Sequence, residues 1–321
     1  MNNKFNISSI QSLPISTVLL AAFMVFNLFV SSSVPGQRAD EERDVDLFLE
    51  NYSIHALPIP RNLNFAGEKV PLHKTYVRES YDRELLVNTY WQSSTLLLIK
   101  KANRYFPLIE PILKEEGVPD DFKYLPMIES GFQERAVSPA GAAGVWQFMA
   151  GAAGDYGLEV SKEIDERYHI EKATIAACRY LKKAYERFGS WTMAAASYNA
   201  GQRGMDRQIE RQKTTNYYDL LLTEETGRYI FRLLAMKEIV SSPGDFGFKL
   251  EQNDLYPVIE TDTLVVSEPI PDFADFAIAN GTTYRELKDL NPWLRETSLS
   301  NPAGKSYTLK IPKPGAFEVK Q

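Results

Sequence analysis

Cysteine is almost absent from this chain of 321 residues: there is one, Cys178. An internal disulfide framework and a cysteine-rich zinc site are excluded with it. Histidine is scarce as well. His55, His73 and His169 lie far apart, without the short spacing of a ligand pair, so no metal is expected. An excess of positive charge is missing too, since the formal net charge is −6. A nucleic-acid-binding surface usually declares itself by basic residues, which sets nucleic acid aside as a partner. What remains is a chain that is 44% hydrophobic, enough for one large core or for two domains of ordinary size.

One long apolar stretch stands near the start. Lys4 precedes a mostly apolar run from Leu13 to Val30, followed by Ser31, Ser32, Ser33, Val34 and Pro35. A basic start, an apolar run and small residues near the exit predict a secretory signal over 1–33. The run also approaches spanning length, so an uncleaved membrane anchor is the alternative. Both readings place the protein outside the cytoplasm, in the periplasm or cell envelope. No cysteine lies nearby, which excludes an anchor on a lipid-modified cysteine. From 34 to 80 the chain carries charges and prolines with little periodicity. "ALPIPRNLNFAGEKVPLHK" reads as a linker or as an arm packed on a domain.

From 81 to 240 the pattern is helical. Leu85, Leu86, Tyr90, Leu96, Leu97 and Leu98 mark a long helix. Between Thr174 and Phe188 the residues Cys178, Leu181, Tyr185 and Phe188 fall on one face. Gly189 ends that helix, and Ser190 is placed to cap the next one at Trp191. Cys178 lies on the apolar stripe and is read as packing. Beyond Ser241 the character changes. "DTLVVSE" and "SYTLKIP" read as strands, with short helical patterns at 273–279 and 284–290 between them. Strand, helix, helix, strand predicts a small independent α+β module over 241–321.

A lone carboxylate stands out in "PDDFKYLPMIESG". Phe122, Leu125 and Glu129 share a helix face that is otherwise apolar. Gly131 stops the helix, so Glu129 sits at a C-terminal end among apolar neighbours. Both circumstances disfavour its charge and raise its pKa, as a general acid at neutral pH requires. Just downstream, "AVSPAGAAGVWQFMAGAAGDYGL" crowds small residues around Trp146, Gln147 and Phe148.

"IESGF" (128–132), "SPAGAAGVWQF" (138–148), "AAASYNAG" (194–201) and "ETGRYIFRLLAMK" (225–237) occur in that order. Together they resemble the motifs of lytic transglycosylases of the soluble and membrane-bound-D type, in the lysozyme-like superfamily. The likeness runs from Asp120 to Met236, with Trp146 standing where other branches carry a methionine. It implies a mainly α fold: a lysozyme-like helical SLT domain, followed by the small α+β module. It implies Glu129 as the single catalytic acid and base. Ser138, Gln147 and Tyr198 match positions lining the sugar cleft, Asn199 a motif residue, and Tyr229 the centre of the last motif. Trp146, Phe148 and Tyr198 are candidate aromatic platforms for sugar rings, with core packing the alternative for Trp146 and Phe148. Gly141, Gly144 and Gly201 are expected to let a glycan strand approach the backbone.

The partner so implied is a peptidoglycan glycan strand, and no cofactor is needed. Ordinary glycosidases work with two carboxylates, but these motifs supply one. The resemblance implies that Glu129 protonates the oxygen between N-acetylmuramic acid and N-acetylglucosamine, then takes a proton from the C6 hydroxyl. That hydroxyl closes on C1 and leaves a 1,6-anhydro end. The alternatives are a hydrolytic muramidase and a non-catalytic wall-binding scaffold. Finally, "DLNPWLRETSLSNPAGKSYTLKIPKPG" (289–315) resembles the second half of a LysM repeat, while "VVSEPIPDFADFA" departs from the usual start.

Overall fold

The computed structural model describes residues 54–318. The segment read as a signal or anchor lies outside the described residues. Among the described residues, no helix is long and apolar enough to cross a membrane.

Eight helices run from Thr75 to Ser241: α1 (Thr75–Tyr90), α2 (Gln92–Glu115), α3 (Leu125–Ser130), α4 (Ala150–Asp155), α5 (Ile170–Phe188), α6 (Trp191–Ala200), α7 (Gln202–Gln212) and α8 (Glu224–Ser241). A 3-10 turn at Asp120–Tyr124 leads into α3. The single long helix expected around Leu85–Leu98 is two helices. Trp91 takes φ −85° and ψ 57°, off the helical region, and breaks them apart. α1 also starts at Thr75, inside the stretch first read as linker or arm.

α5 and α6 meet as their sequence requires. Gly189 adopts φ 67° at the end of α5, and the Ser190 side chain accepts from Met193 N at the start of α6. The buried seam of α5 differs from the expected one. It runs through Ala173, Ala177, Leu181 and Ala184, with Cys178 beside it fully buried. Tyr185 lies outside, stacked on the Trp191 ring at 4.2 Å. Small residues hold the seam because α5 packs closely on α2 and α6.

Residues 63–70 carry a hairpin of β1 (Asn64–Phe65) and β2 (Glu68–Lys69). Leu63, Phe65 and Val70 enter the main core. The Glu68 carboxylate accepts from Ser190 Oγ, Trp191 N, Thr192 N and Thr192 Oγ1. It thereby satisfies orphan donors at the start of α6 and complements the positive end of that helix.

The C-terminal module contains β3 (Thr261–Val266), α9 (Phe273–Ala279), α10 (Tyr284–Leu290) and β4 (Tyr307–Pro312). β3 and β4 pair antiparallel, with Thr261 opposite Pro312 and Val266 opposite Tyr307. Asp272 caps α9, and Thr283 with Glu286 forms a capping box on α10. Buried Asn291 ties the end of α10 to β4, donating to Leu287 O and Lys310 O and accepting from Lys310 N.

The module is not independent of the helices. Its core of Phe273, Leu287, Trp293, Leu294 and Leu309 is continuous with Ala143, Ile164 and Tyr168. Backbone bonds cross the junction, from Asp165 N to Trp293 O and from Arg295 N to Glu163 O. The segment before it also belongs with the helices, since Tyr256 N donates to Lys100 O. Asn103 and Arg104 of α2 donate to Tyr256 O and Pro257 O.

Candidate active site

Glu129 is the penultimate residue of α3, and Gly131 closes that helix in the left-handed region at φ 61°. The Lys101 ammonium donates to Gly131 O (2.7 Å) and secures the end. Beyond it the chain doubles back through 133–148. Ser130 Oγ donates to Val145 O (2.8 Å), pinning the returning loop to the helix. Between helix and loop opens a cleft of about 680 Å³, in the range of ligand sites. Glu129, Ser138 and Gln147 line it together, with Trp91 from the α1–α2 break and Arg232 and Met236 from α8.

The cleft has a single carboxylate among its described lining residues. Glu134, the nearest acid in sequence, accepts from Tyr105 Oη (2.9 Å) and faces a separate cavity against the C-terminal module. Asp155 ends α4 on the exposed surface.

Burial pushes the Glu129 carboxyl up to about 7. The Tyr229 hydroxyl, which donates to Glu129 Oε1, and the Arg232 guanidinium pull it down, while the charge of Glu225 adds to the rise. α3 is six residues long, so burial rather than a helix dipole carries the shift. A carboxyl so placed holds a proton near neutral pH and can give it up and take it back.

Tyr229 is fully enclosed and approaches Glu129 from behind the cleft wall. Arg232, one turn on along α8, donates to Ile128 O (2.9 Å) and fixes the backbone beside Glu129. The sequence reading passed over Arg232. Its signal was the three-residue spacing from Tyr229, which places both on one helix face. It also passed over Trp91, a residue 67% exposed that lines the cleft. No periodic pattern marked the helix break that presents it.

Ser138 Oγ accepts from Ala142 N (3.0 Å), so part of its capacity is spent on its own turn. Gln147 sits at φ 51°, left-handed for a residue with a side chain, and its Nε2 donates to Gly144 O (2.8 Å). Strain of this kind persists only where the surroundings over-determine it. Tyr198 donates to Trp146 O (2.8 Å) and packs edge-on against Phe148. Burial raises its hydroxyl pKa well above the ordinary value, with the Glu129 charge a second cause. Asn199 is bonded to Glu225 and Thr226, tying α6 to α8.

At Trp146 and Phe148 the geometry favours core packing, the alternative reading, and at Gly144 it changes the expectation. Trp146 is fully buried, its Nε1 donating to Thr174 Oγ1 (2.8 Å), and Phe148 is buried too. Neither offers a face to the cleft. Gly144 serves close approach of a different kind: a Cβ there would fall 1.9 Å from Arg167 O. The small residue admits a neighbouring turn of the protein rather than a glycan.

Residues 107–221 match the transglycosylase SLT domain family. The helical body is thus similar to an SLT domain over that stretch. Residues 262–315 match the soluble lytic transglycosylase C-terminal LysM-like domain. Two relatives, the membrane-bound lytic murein transglycosylases D of Escherichia coli strains K12 and O6:H1, are each 28% identical over 250 residues. The alignment spans 76% of this chain and 53% of each relative, so the chain covers about half their length. A solved structure of an inactive mutant of lytic transglycosylase Slt from Pseudomonas aeruginosa is 19% identical. It covers 47% of this chain and 26% of that one, with a TM-score of 0.34. The SLT match takes in Glu129, Ser138, Gln147 and Tyr198. Tyr229 and Arg232, which complete the surroundings of Glu129, lie beyond it on α8. Among the described residues, no group of three or more His, Cys, Asp or Glu side chains could hold a metal ion.

Proposed function

We propose that this protein is a peptidoglycan lytic transglycosylase, with Glu129 acting first as acid and then as base. The observation that carries the reading is that Glu129, raised to about 7, is the one carboxyl among the described residues lining an open cleft. A two-carboxylate mechanism needs a partner across the scissile bond, and the cleft offers none among its described lining residues. A nucleophile internal to the substrate fits this site. In the reaction, the protonated Glu129 gives its proton to the glycosidic oxygen as the bond from C1 of N-acetylmuramic acid breaks. The resulting carboxylate takes the proton of the C6 hydroxyl, whose oxygen bonds to C1. Proton count and electron pairs balance, no water is consumed, and Glu129 ends as it began. Tyr229 favours the carboxylate stage by donating to it. Ser138 and Gln147 are proposed to hydrogen-bond the sugar from the facing loop.

The matches to the SLT and LysM-like families and to murein transglycosylases of E. coli support this substrate. They also support a location in the cell envelope, consistent with the apolar segment at 13–30. Purified sacculi incubated with the protein test the reaction. Soluble fragments ending in 1,6-anhydro-muramic acid, one water lighter than hydrolysis products, are expected. Reducing ends alone would instead identify a muramidase. Binding without release would identify a wall-binding scaffold.

A further inference from the structure

The loop bearing Ser138 and Gln147 is irregular, held within itself by tight turns and short bridges rather than by a helix or a sheet. Between 136 and 148 it is rich in alanine and glycine; two isolated bridges, Val137 with Ala143 and Ala143 with Phe148, and tight turns such as Gly141 N to Ser138 O and Gln147 N to Gly144 O tie it to itself. Besides the bonds from Ser130 and Tyr198, it is supported from behind. Arg167 Nη1 donates to Gly141 O (3.0 Å) and Phe148 O (3.2 Å), at the two ends of the tight part of the loop. The same guanidinium is fixed by Asp165, through Nε (2.9 Å) and Nη2 (2.7 Å). Both side chains are about nine-tenths enclosed. Gly144 lies so close to Arg167 O that no side chain fits between them.

The Asp165–Arg167 turn is itself held by the C-terminal module. Asp165 N donates to Trp293 O (2.9 Å), and Arg295 N donates to Glu163 O (2.8 Å). The Arg295 guanidinium lies 4.0 Å over the Tyr168 ring. A second strut starts at Arg135 on the cleft wall, which donates to Lys288 O (2.7 Å) and pairs with Asp289 (3.1 Å).

We propose that the C-terminal module is a brace for the loop that carries Ser138 and Gln147, and that Arg167 is the positioning residue through which it acts. The kinetic arm of this inference rests on the proposed transglycosylase reading; the structural arm does not. A planar fork that grips a carboxylate on one side and two carbonyls on the other transmits position in a way a single ammonium cannot. Removing it takes a donor from Gly141 O and Phe148 O and frees the back of the loop from the Asp165–Arg167 turn.

Amide hydrogen exchange on the full chain reads the brace without substrate. Two variants are compared: Arg167→Met, which keeps the stem but loses the fork, and Arg295→Ala, which acts from the module and touches nothing in the cleft. Both are expected to speed exchange at 142–148 by about tenfold or more, with α8 protected as before. On soluble glycan chains, Arg167→Met should lower kcat by roughly ten- to a hundredfold while KM moves less, as misplacement of binding groups does. Arg167→Lys should recover part of that loss. Wild-type exchange in the loop of both variants would overturn the brace, and so would a loosened loop with unchanged kcat. Should Arg167→Met fail to fold, Arg295→Ala decides alone. Should the wild-type chain release no fragments, the proposed activity falls, and the exchange result still decides the brace.

Discussion

At the scale of single residues, Tyr229 and burial pull the Glu129 carboxyl in opposite directions. Replacing Tyr229 by Phe removes the donor and leaves burial in place. The pKa of Glu129 then rises further, and the alkaline limb of the pH–rate profile is expected to move to higher pH, with a lower maximum because the base stage loses its hydrogen bond. An unmoved limb would detach Tyr229 from the proton chemistry. Stability carries the same signature. The Glu129 pKa is about 7 in the fold against an ordinary 4.5. Between those values the folded state holds a proton that the unfolded chain has released, so stability falls as pH rises through that window and levels off above it. The full span corresponds to at most about 3 kcal/mol. Glu129→Gln is therefore expected to raise the denaturation midpoint at pH 8, with the gain over wild type gone by pH 4. A gain of equal size at both pH values would contradict the assigned cause. Glu129 was legible in the sequence because its cues are local: apolar neighbours at helical spacing and a glycine stop. Trp146 was not, since an aromatic side chain beside a glutamine looks the same whether it faces a cleft or a core. Only its distant partner Thr174 decides it.

At the scale of elements, the hairpin before α1 and the loop after α3 are built into the helical body. Glu68 reaches across to the start of α6, the helix that carries Tyr198. Glu68→Ala is expected to destabilise the protein by about 1–2 kcal/mol, the usual cost of a lost helix cap with a charged acceptor; urea denaturation measures it. A loss below a few tenths would make the hairpin incidental. Gly144→Ala is a harsher change. Its φ of 76° is strained for alanine, and the added carbon would meet Arg167 O. A loss of about 3 kcal/mol or more is expected, and a stable variant with native activity would contradict the packing described. The α5–α6 junction was readable from Gly189 and Ser190, as caps and stops are short-range chemistry. So were both module helices, which fall at the expected 273–279 and 284–290. The break at Trp91 was not, because the apolar residues on either side continue the helical spacing without a proline or glycine between them.

For the whole molecule, the shared core of Ala143, Ile164, Tyr168, Trp293 and Leu294 is the feature with the widest consequence. Two domains with separate cores unfold in two steps; domains that share one should unfold together. Calorimetry of residues 54–318 is expected to show one cooperative transition, and two resolved transitions would count against the junction. Removing the module would bare Ile164 and Tyr168, so a truncated chain is expected to be less stable rather than merely weaker at binding the wall. The strand-helix-helix-strand order was legible from local periodicity. Its union with the helical body was not, because the joining contacts connect residues more than a hundred positions apart, such as Asp165 with Trp293. No local pattern records them.

The central claim is that one carboxyl, Glu129, does both proton transfers. Fragment release from sacculi by Glu129→Gln, measured beside a check that the variant folds and still sediments with sacculi, tests it most directly. The amide keeps the volume but neither gives nor takes the proton. Loss of general acid–base catalysis costs about a hundred- to ten-thousandfold, and with one residue in both roles the upper end is predicted. A folded, sacculus-binding variant that releases fragments at near wild-type rate would contradict it.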